Sequence, residues 1–309
     1  MASYYNEHTI LFLDGKFVKA ADATMDLYSQ SLHYGYSVFE GIRSYKTTEG
    51  QTRIFKAEEH FERLRNSASA LNLPYTWDTA ELIAATYEVL EKNSLQDAYI
   101  RPVVFAPANM SFVQNTISHI TIQAWEMQPF LGAKLLRVMT SSFQRPNPKG
   151  FKITAKAAGH YVNSILASQE AKANGFDEAL LTDMDGFVAE GPGANMFYEK
   201  EGQLFTPATG NILPGITRAT VFELCAERGI RVTEKQITLD ELKQADAAFF
   251  CGTAAEVIGW ESLDDVTFKK NWNNALSKEL QEAFRERVIE NHREAKPAAI
   301  EQTGILVEG

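Results

Sequence analysis

The segment KITAKAAGHYVNS (152–164) sets Lys156 among alanines and a glycine, with no acid at the neighbouring positions to pair with it. Such a lysine is either a solvated surface charge or an amine kept for chemistry, and the local residues leave both open. Glu190 ends the segment FVAE, just before the tight Gly191-Pro192-Gly193 turn. The segment ILPGITRATVF puts Gly215, Ile216 and Thr217 at a helix start, where free N–H groups and the helix dipole favour a phosphate. An amine that can condense with an aldehyde, an acid to face a ring nitrogen and a seat for a phosphate are what an aldehyde-bearing pyridine cofactor requires.

Other chemistries lack their residues. The six histidines (8, 33, 60, 119, 160 and 292) are scattered without a second ligand at metal spacing, so no metal is expected. EGPGANM begins like a dinucleotide loop but has Met196 at the third glycine position, and neither GxxxxGK[ST] nor GxSxG occurs. A net charge of −10 argues against nucleic acid as a partner. No run of 18 apolar residues predicts a membrane span, and MASYYNEHTI lacks the layout of a signal peptide. Cys225 and Cys251 have no CxxC neighbour, which suits buried thiols in a reducing, cytoplasmic setting. At 309 residues, 45% hydrophobic and 23% charged, the chain is expected to form two globular domains.

The elements that must position these residues follow from pattern. TILFLDGKFVK (9–19) predicts a hairpin around Asp14-Gly15, and RIF (53–55) a further strand. Phe61, Leu64, Ala68 and Leu71 recur at helical spacing, and a second helix follows Asp78. AYIRPVVFA and ISHITIQAW read as strands, and EMQPFLGAK (126–134) as a domain junction. Beyond it come a strand at LLRVMTSSF, the loop QRPNPKG and a helix from Tyr161 that ends at Gly175. Then follow strands EALLTD and FVAE, a hairpin around Glu201-Gly202, a helix from Gly215 to Gly229, another after Asp240, the stretch AAFFCG and a helix over about 275–294. Hairpins outnumber strand–helix–strand units, so mixed, largely antiparallel sheets are expected.

In order, SLHYGYSVFEGIRSY, EHFERLRNSA, AYIRPVVF, TAKAAGHYVNS, FVAEGPGANMF, LPGITRA and CGTAAE resemble the segments of the fold-type IV pyridoxal-phosphate transaminases. The resemblance is greatest to the branched-chain amino acid aminotransferases and runs from about residue 9 to 260. It implies an α+β chain with a smaller N-terminal domain (1–128) built on a mainly antiparallel sheet. A linker (129–136) and a larger C-terminal domain (137–309) with a barrel-like β core would follow, with the cofactor between them. The implied reaction is reversible transfer of the amino group of L-leucine, L-isoleucine or L-valine to 2-oxoglutarate. It would be ping-pong, through a Schiff base on Lys156 and pyridoxamine phosphate.

The resemblance also implies roles. Lys156 matches the Schiff-base lysine, Glu190 the acid at the pyridine nitrogen, and Tyr161 the hydroxyl at the ring oxygen. Arg63, Gly215, Ile216 and Thr217 match the phosphate site, with Asn195, Leu213 and Thr253 also against the cofactor. Arg63 could instead pair with Glu59 on the helix surface, and Tyr161 could be a core aromatic. The substrate pocket must take both a leucine-like side chain and a glutamate carboxylate, which needs an arginine at its rim. Arg101 of the Tyr99-Ile100-Arg101 motif matches it, and Tyr34, Phe39, Gly41, Met127 and Phe130 match the apolar wall. Thr253 and Ala254 would offer N–H groups to the α-carboxylate. A homodimer or higher homo-oligomer is implied, with Tyr34 and the 107–115 loop reaching the neighbouring site. The chain departs from the family at Ala158 and His160, where KAGGNY is frequent, and at Met127, where tryptophan is common. D-amino acid and (R)-amine transaminases, aminodeoxychorismate lyases and a non-catalytic binding module are the competing readings.

Overall fold

The computed structural model describes residues 4–127 and 134–290. Its first hairpin joins β1 (Ile10–Leu13) to β2 (Lys16–Lys19) through Asp14 and Gly15. Both turn residues have positive φ, 47° and 84°, as a two-residue primed turn requires. The sheet is completed by β3 (Ser37–Phe39), β4 (Ile42–Lys46), β5 (Thr52–Ile54), β6 (Ala98–Phe105) and β7 (His119–Glu126). Their order is β2-β1-β7-β6-β4-β5, with β3 also on β6, and every pairing is antiparallel. A short α1 (Gln30–Tyr34) precedes β3, while α2 (Ala57–Ala70) and α3 (Thr79–Lys92) cover the sheet. Helix α2 commits Ala57, Phe61, Leu64 and Ala68 to the core, the face its spacing defines. Helix α3 starts where Asp78 accepts from the N–H groups of Ala80 and Glu81, at 2.8 and 3.1 Å.

The second half runs β8 (Leu136–Gln144), α4 (Tyr161–Ala173), β9 (Glu178–Thr182), β10 (Val188–Glu190), β11 (Asn195–Lys200) and β12 (Gln203–Pro207). It continues with α5 (Ile216–Glu227), β13 (Val232–Lys235), α6 (Leu239–Lys243), β14 (Ala247–Gly252), β15 (Glu256–Leu263), β16 (Val266–Thr267) and α7 (Leu276–Ile289). The strands form one sheet in the order β10-β9-β8-β15-β14-β11-β12-β13, with β16 on β15. Three pairs are parallel (β8/β9, β8/β15 and β12/β13), and α4 and α5 serve as crossovers for two of them. The Val188 N–H, in one edge strand, donates to the Ile237 carbonyl just past the other, at 2.8 Å. That bond brings the two edges together and gives the sheet its barrel-like curl.

The expected helix after Asp240 starts earlier, because Thr238 caps it by accepting from the Glu241 N–H. The C-terminal helix occupies Leu276–Ile289, and residues beyond 290 lie outside the described part, as do 128–133 of the expected junction. Strands β3, β4, β13, β15 and β16 and helix α1 have no expected counterpart. In β4 the burial is continuous over Ile42, Arg43, Ser44 and Tyr45, which erases the alternation that marks a strand.

The two sheets are stitched by main chain as well as side chain. The Phe39 N–H donates to the Lys156 carbonyl (3.1 Å), and Val38 bridges Ala157. Gly35, with φ +65°, accepts from the Gly159 N–H at 3.1 Å, and a Cβ on Gly35 would lie 2.8 Å from the Gly159 Cα. Replacing Gly35 by alanine is expected to cost about 1–2 kcal/mol from the left-handed backbone, plus the clash. Gly175→Ala, with φ +81° and open space around it, carries the backbone cost alone. Thermal unfolding should therefore show the larger drop for Gly35→Ala, and equal drops would contradict the close approach.

Candidate active site

A cleft between the sheets gathers Phe39, Gly41, Arg63, Tyr99 and Arg101 from the first half. From the second come Arg145, Lys156, His160, Tyr161, Glu190, Asn195, Leu213, Gly215, Ile216, Thr217, Thr253 and Ala254. Lys156 stands just before α4, its N–H donating to the Ser67 hydroxyl at 3.0 Å. The side-chain Nζ donates to the Tyr161 hydroxyl at 2.6 Å and sits 5.1 Å from the ring centres of Phe39 and Tyr161. Those rings meet edge to face, 4.7 Å between centres. Among the described residues no carboxylate forms an ion pair with Lys156.

Glu190 ends β10 and is buried. Its Oε2 accepts from the Asn195 amide (2.9 Å) and its Oε1 from the Leu213 N–H (3.1 Å). Arg145 Nε lies 2.9 Å from Oε1, an ion pair whose angle is too bent for a hydrogen bond. Burial raises the Glu190 pKa, opposed by the Arg145 charge and the Leu213 N–H. Sequence reasoning missed Arg145. It is an arginine in a loop, and only the β8/β9 pairing carries it opposite Glu190.

At the far end, α5 begins at Gly215 without a side-chain cap or an acid in its first turn. Its leading N–H groups have no helical acceptor. A Cβ on Gly215 would fall 2.0 Å from the Asn195 Oδ1, so only glycine leaves the approach open. Arg63 reaches over from α2, donating from Nη1 to the Pro214 carbonyl at 2.9 Å. It does not pair with Glu59, which Lys56 holds at 3.1 Å. Its partner is Glu40, reached by Nε and Nη2 at 2.7 and 2.8 Å. The His60 Nδ1–H donates to the same carboxylate at 2.7 Å. Burial works to raise Glu40, but Arg63 and His60 overcome it and hold the carboxyl far below its usual range. No pattern in the chain pointed to Glu40, which lies 23 residues from Arg63.

On the opposite wall, the Arg101 guanidinium stacks 4.5 Å from the Phe39 ring centre, 5.2 Å from Tyr99 and 6.0 Å from Trp125. Its Nη2 donates to the Tyr99 hydroxyl (3.2 Å), and no acidic side chain among the described residues pairs with it. Gly41 leaves room for that hydroxyl, which a Cβ would meet at 2.0 Å. Thr253 and Ala254 lie in the three-residue link between β14 and β15. His160 lines the cleft with its ring edge against Phe151, and burial and Arg145 lower its pKa. Tyr34 is outside this cleft, exposed on α1 with Phe112 5.7 Å away. Met127 is outside it too, its carbonyl accepting from Arg43, and Phe130 falls outside the described residues.

An amine free of acids, a buried carboxylate and an uncapped helix terminus around one cleft define a class of enzyme. Residues 37–263 match the model of the amino-transferase class IV family, and the chain belongs to that family. It is 40% identical to the branched-chain-amino-acid aminotransferase of Pseudomonas aeruginosa over 281 residues, 89% of this chain and 91% of that one. The branched-chain aminotransferase of Thermoproteus uzoniensis, solved with norvaline, superposes with a TM-score of 0.87 at 36% identity, covering 91% of this chain and 95% of that one. The branched-chain amino acid aminotransferase of Thermobaculum terrenum, solved in its PLP-form, gives 0.87 at 32% identity over 92% and 95%.

Burial lowers the His60 pKa below 6.5, and the Arg63 charge adds to this against the pull of Glu40. The unfolded chain therefore takes up the proton first as pH falls. Stability is held above about pH 6.5 and declines beneath it. Melting curves between pH 7.5 and 5.5 should fall more steeply for wild type than for His60→Gln, and parallel curves would refute the assignment.

Proposed function

We propose that this chain is a pyridoxal-phosphate-dependent transaminase that exchanges the amino group of L-leucine, L-isoleucine or L-valine with 2-oxoglutarate. The observation that carries it is the Lys156 amine, held among the described residues only by Tyr161, in a cleft with Glu190 at one side and the uncapped α5 terminus at the end. These residues fit the cofactor: the close approach at Gly215 and the free N–H groups of α5 suit a phosphate, and Glu190 suits a ring nitrogen. When bound, pyridoxal phosphate supplies an aldehyde to carry the amino group and a ring that draws electrons from the substrate's Cα–H bond.

The protein's residues do the rest. Gly215, Ile216, Thr217 and Arg63 bind the phosphate, and Glu190, held by Asn195 and Leu213, keeps a proton on the ring nitrogen. Tyr161 orients the ring oxygen. Lys156 Nζ would take the proton from the substrate Cα and pass it to the carbon that carried the cofactor's aldehyde within the same half-reaction, and would run that transfer in reverse when the 2-oxo acid is aminated. Thr253 and Ala254 receive the α-carboxylate. The Arg101 guanidinium sits over the rings of Phe39 and Tyr99, so one wall offers both apolar rings and a cation. A leucine side chain meets the rings and a glutamate carboxylate meets the guanidinium edge.

The assembly we read is a homodimer, with 1–128 and 137–309 as the domains of each subunit and 129–136 between them. Support for the dimer comes from apolar side chains exposed on and around α1, the 107–115 loop and α4. Phe112 is 91% exposed and touches Tyr34, while Leu27, Tyr28, Leu32 and Val113 are exposed nearby. The Gly35–Gly159 contact joins this region to Val162 and Ile165 on α4, also exposed. So many large apolar side chains are rarely left in water together. Among the described residues no helix is long and apolar enough to cross a membrane. Cys225 and Cys251 are buried free thiols, which suits the cytoplasm.

With 2-oxoglutarate as acceptor, leucine, isoleucine and valine should be the preferred donors. Lys156→Ala should lose at least about 10²–10⁴-fold in turnover. Undiminished turnover in that variant would end the reading, activity confined to D-donors would favour the D-amino acid transaminase, and pyruvate release from aminodeoxychorismate the lyase. For the assembly, sedimentation should show dimers of wild type and monomers of Phe112→Asp. An unchanged sedimentation coefficient in the variant would remove this surface from the interface.

A further inference from the structure

The loop that carries Thr253 and Ala254 ends on a residue in an unusual conformation for its type. Glu256, paired with Gly252 across the β14–β15 hairpin, has φ +53° and a fully buried side chain. The left-handed region suits glycine, and a three-residue hairpin loop ordinarily places one there. A buried carboxylate adds a second cost unless it is paired. Its partner is Arg43, equally buried, with Nη1 at 3.0 Å from the Glu256 Oε1. A glycine facing an apolar residue would form the same turn without either cost, so the pair calls for a reason beyond the turn.

Arg43 joins the parts of the cleft that must agree in position. It lies two residues past Gly41 on β4 and directly opposite Tyr99 in the β4/β6 register. Its Nη2 donates to the Met127 carbonyl at 3.1 Å, at the end of the first sheet, and its guanidinium sits 5.0 Å from the Tyr45 ring centre. Thr253 and Ala254 line the cleft, and among the described residues neither N–H donates to a backbone carbonyl. Across the cleft, Tyr99 and Arg101 form the wall that meets the substrate's side chain.

We infer that the Arg43–Glu256 pair is a positioning device that fixes the gap between the Thr253–Ala254 N–H groups and the Tyr99–Arg101 wall, so that only a molecule with a carboxylate and a side chain at the right separation engages both. The inference rests on the assignment of Thr253 and Ala254 to the α-carboxylate. Arg43 and Glu256 touch neither substrate nor cofactor in this scheme. They hold the loop of one sheet in register with a strand of the other.

Two variants separate aim from stability. Glu256→Gly suits the left-handed backbone and removes the carboxylate. The double variant Arg43→Met with Glu256→Gln removes the charge from both partners, so no buried ion is left alone. In the holoenzyme, both should raise KM for leucine and for 2-oxoglutarate alike by about tenfold, the equivalent of one well-aimed hydrogen bond. Turnover should stay within about threefold, and cofactor affinity, read by absorbance titration, should not move. Binding of 3-methylbutylamine, the leucine skeleton without its carboxylate, should also be unchanged. A lower melting temperature with KM unmoved would make the pair a structural clamp and overturn the inference. If 3-methylbutylamine binding weakens as much as leucine binding, the carboxylate assignment fails and takes the inference with it.

Discussion

The cleft is governed by one constraint: a charge withdrawn from water must be paired by the protein or reserved for a ligand. The three carboxylates nearest its walls are paired. Glu40 holds Arg63 and His60, Glu190 meets Arg145 and the Asn195 amide, and Glu256 meets Arg43. What they leave without an acidic partner among the described residues is the Lys156 amine, the Arg101 guanidinium and the α5 N-terminus. In the proposed function these three sites meet an aldehyde, a substrate carboxylate and a phosphate. The same constraint explains why Tyr161, and no acid, holds Lys156. A hydroxyl orients the amine without forming an ion pair with it.

Much of the site could be read from the chain because its parts are local. KITAKAAGHYVNS, FVAEGPGANMF and LPGITRA each place a functional residue beside the turn or helix start that aims it, and pattern finds such units. The hairpin at Asp14-Gly15 and helices α2, α3, α4 and α5 were legible for the same reason. Strands β3 and β4 were not, since burial on both faces removes the alternation. The second sheet is closed by a bond between Val188 of β10 and Ile237, just past β13 and distant in sequence.

The residues that escaped the sequence act through partners far along the chain. Arg43 and Glu256 are 213 residues apart, and Arg145 reaches Glu190 only because β8 and β9 lie side by side. Glu40 could have been suspected only by asking what neutralises Arg63, and the sequence suggested Glu59, one helical turn away. The fold chose Glu40 because α2 packs on β3, so a carboxylate just past β3 sits beneath the helix while Glu59 faces water. Burial decides between the two: a bidentate pair out of solvent outweighs an exposed pair on a helix surface.

Main-chain bonds place the lysine between the two halves. Phe39 N–H to Lys156 carbonyl and Val38 to Ala157 make the lysine segment an extra strand-like contact of the first sheet, although α4 carries it into the second. These bonds do not depend on side-chain identity, so Ala158 and His160 can depart from the family's pattern without moving the amine. His160 contributes no side-chain hydrogen bond to Lys156, whose Nζ is held by Tyr161 one position further on. The proposed substrate wall has the opposite character. It consists of side chains packed on one another, Phe39, Tyr99 and Arg101, with Trp125 stacked behind Tyr99, so a change in any one alters the rest. In the proposed reading, amine chemistry rests on backbone bonds and side-chain preference on stacking, separate layers of which the second can vary while the first stays fixed.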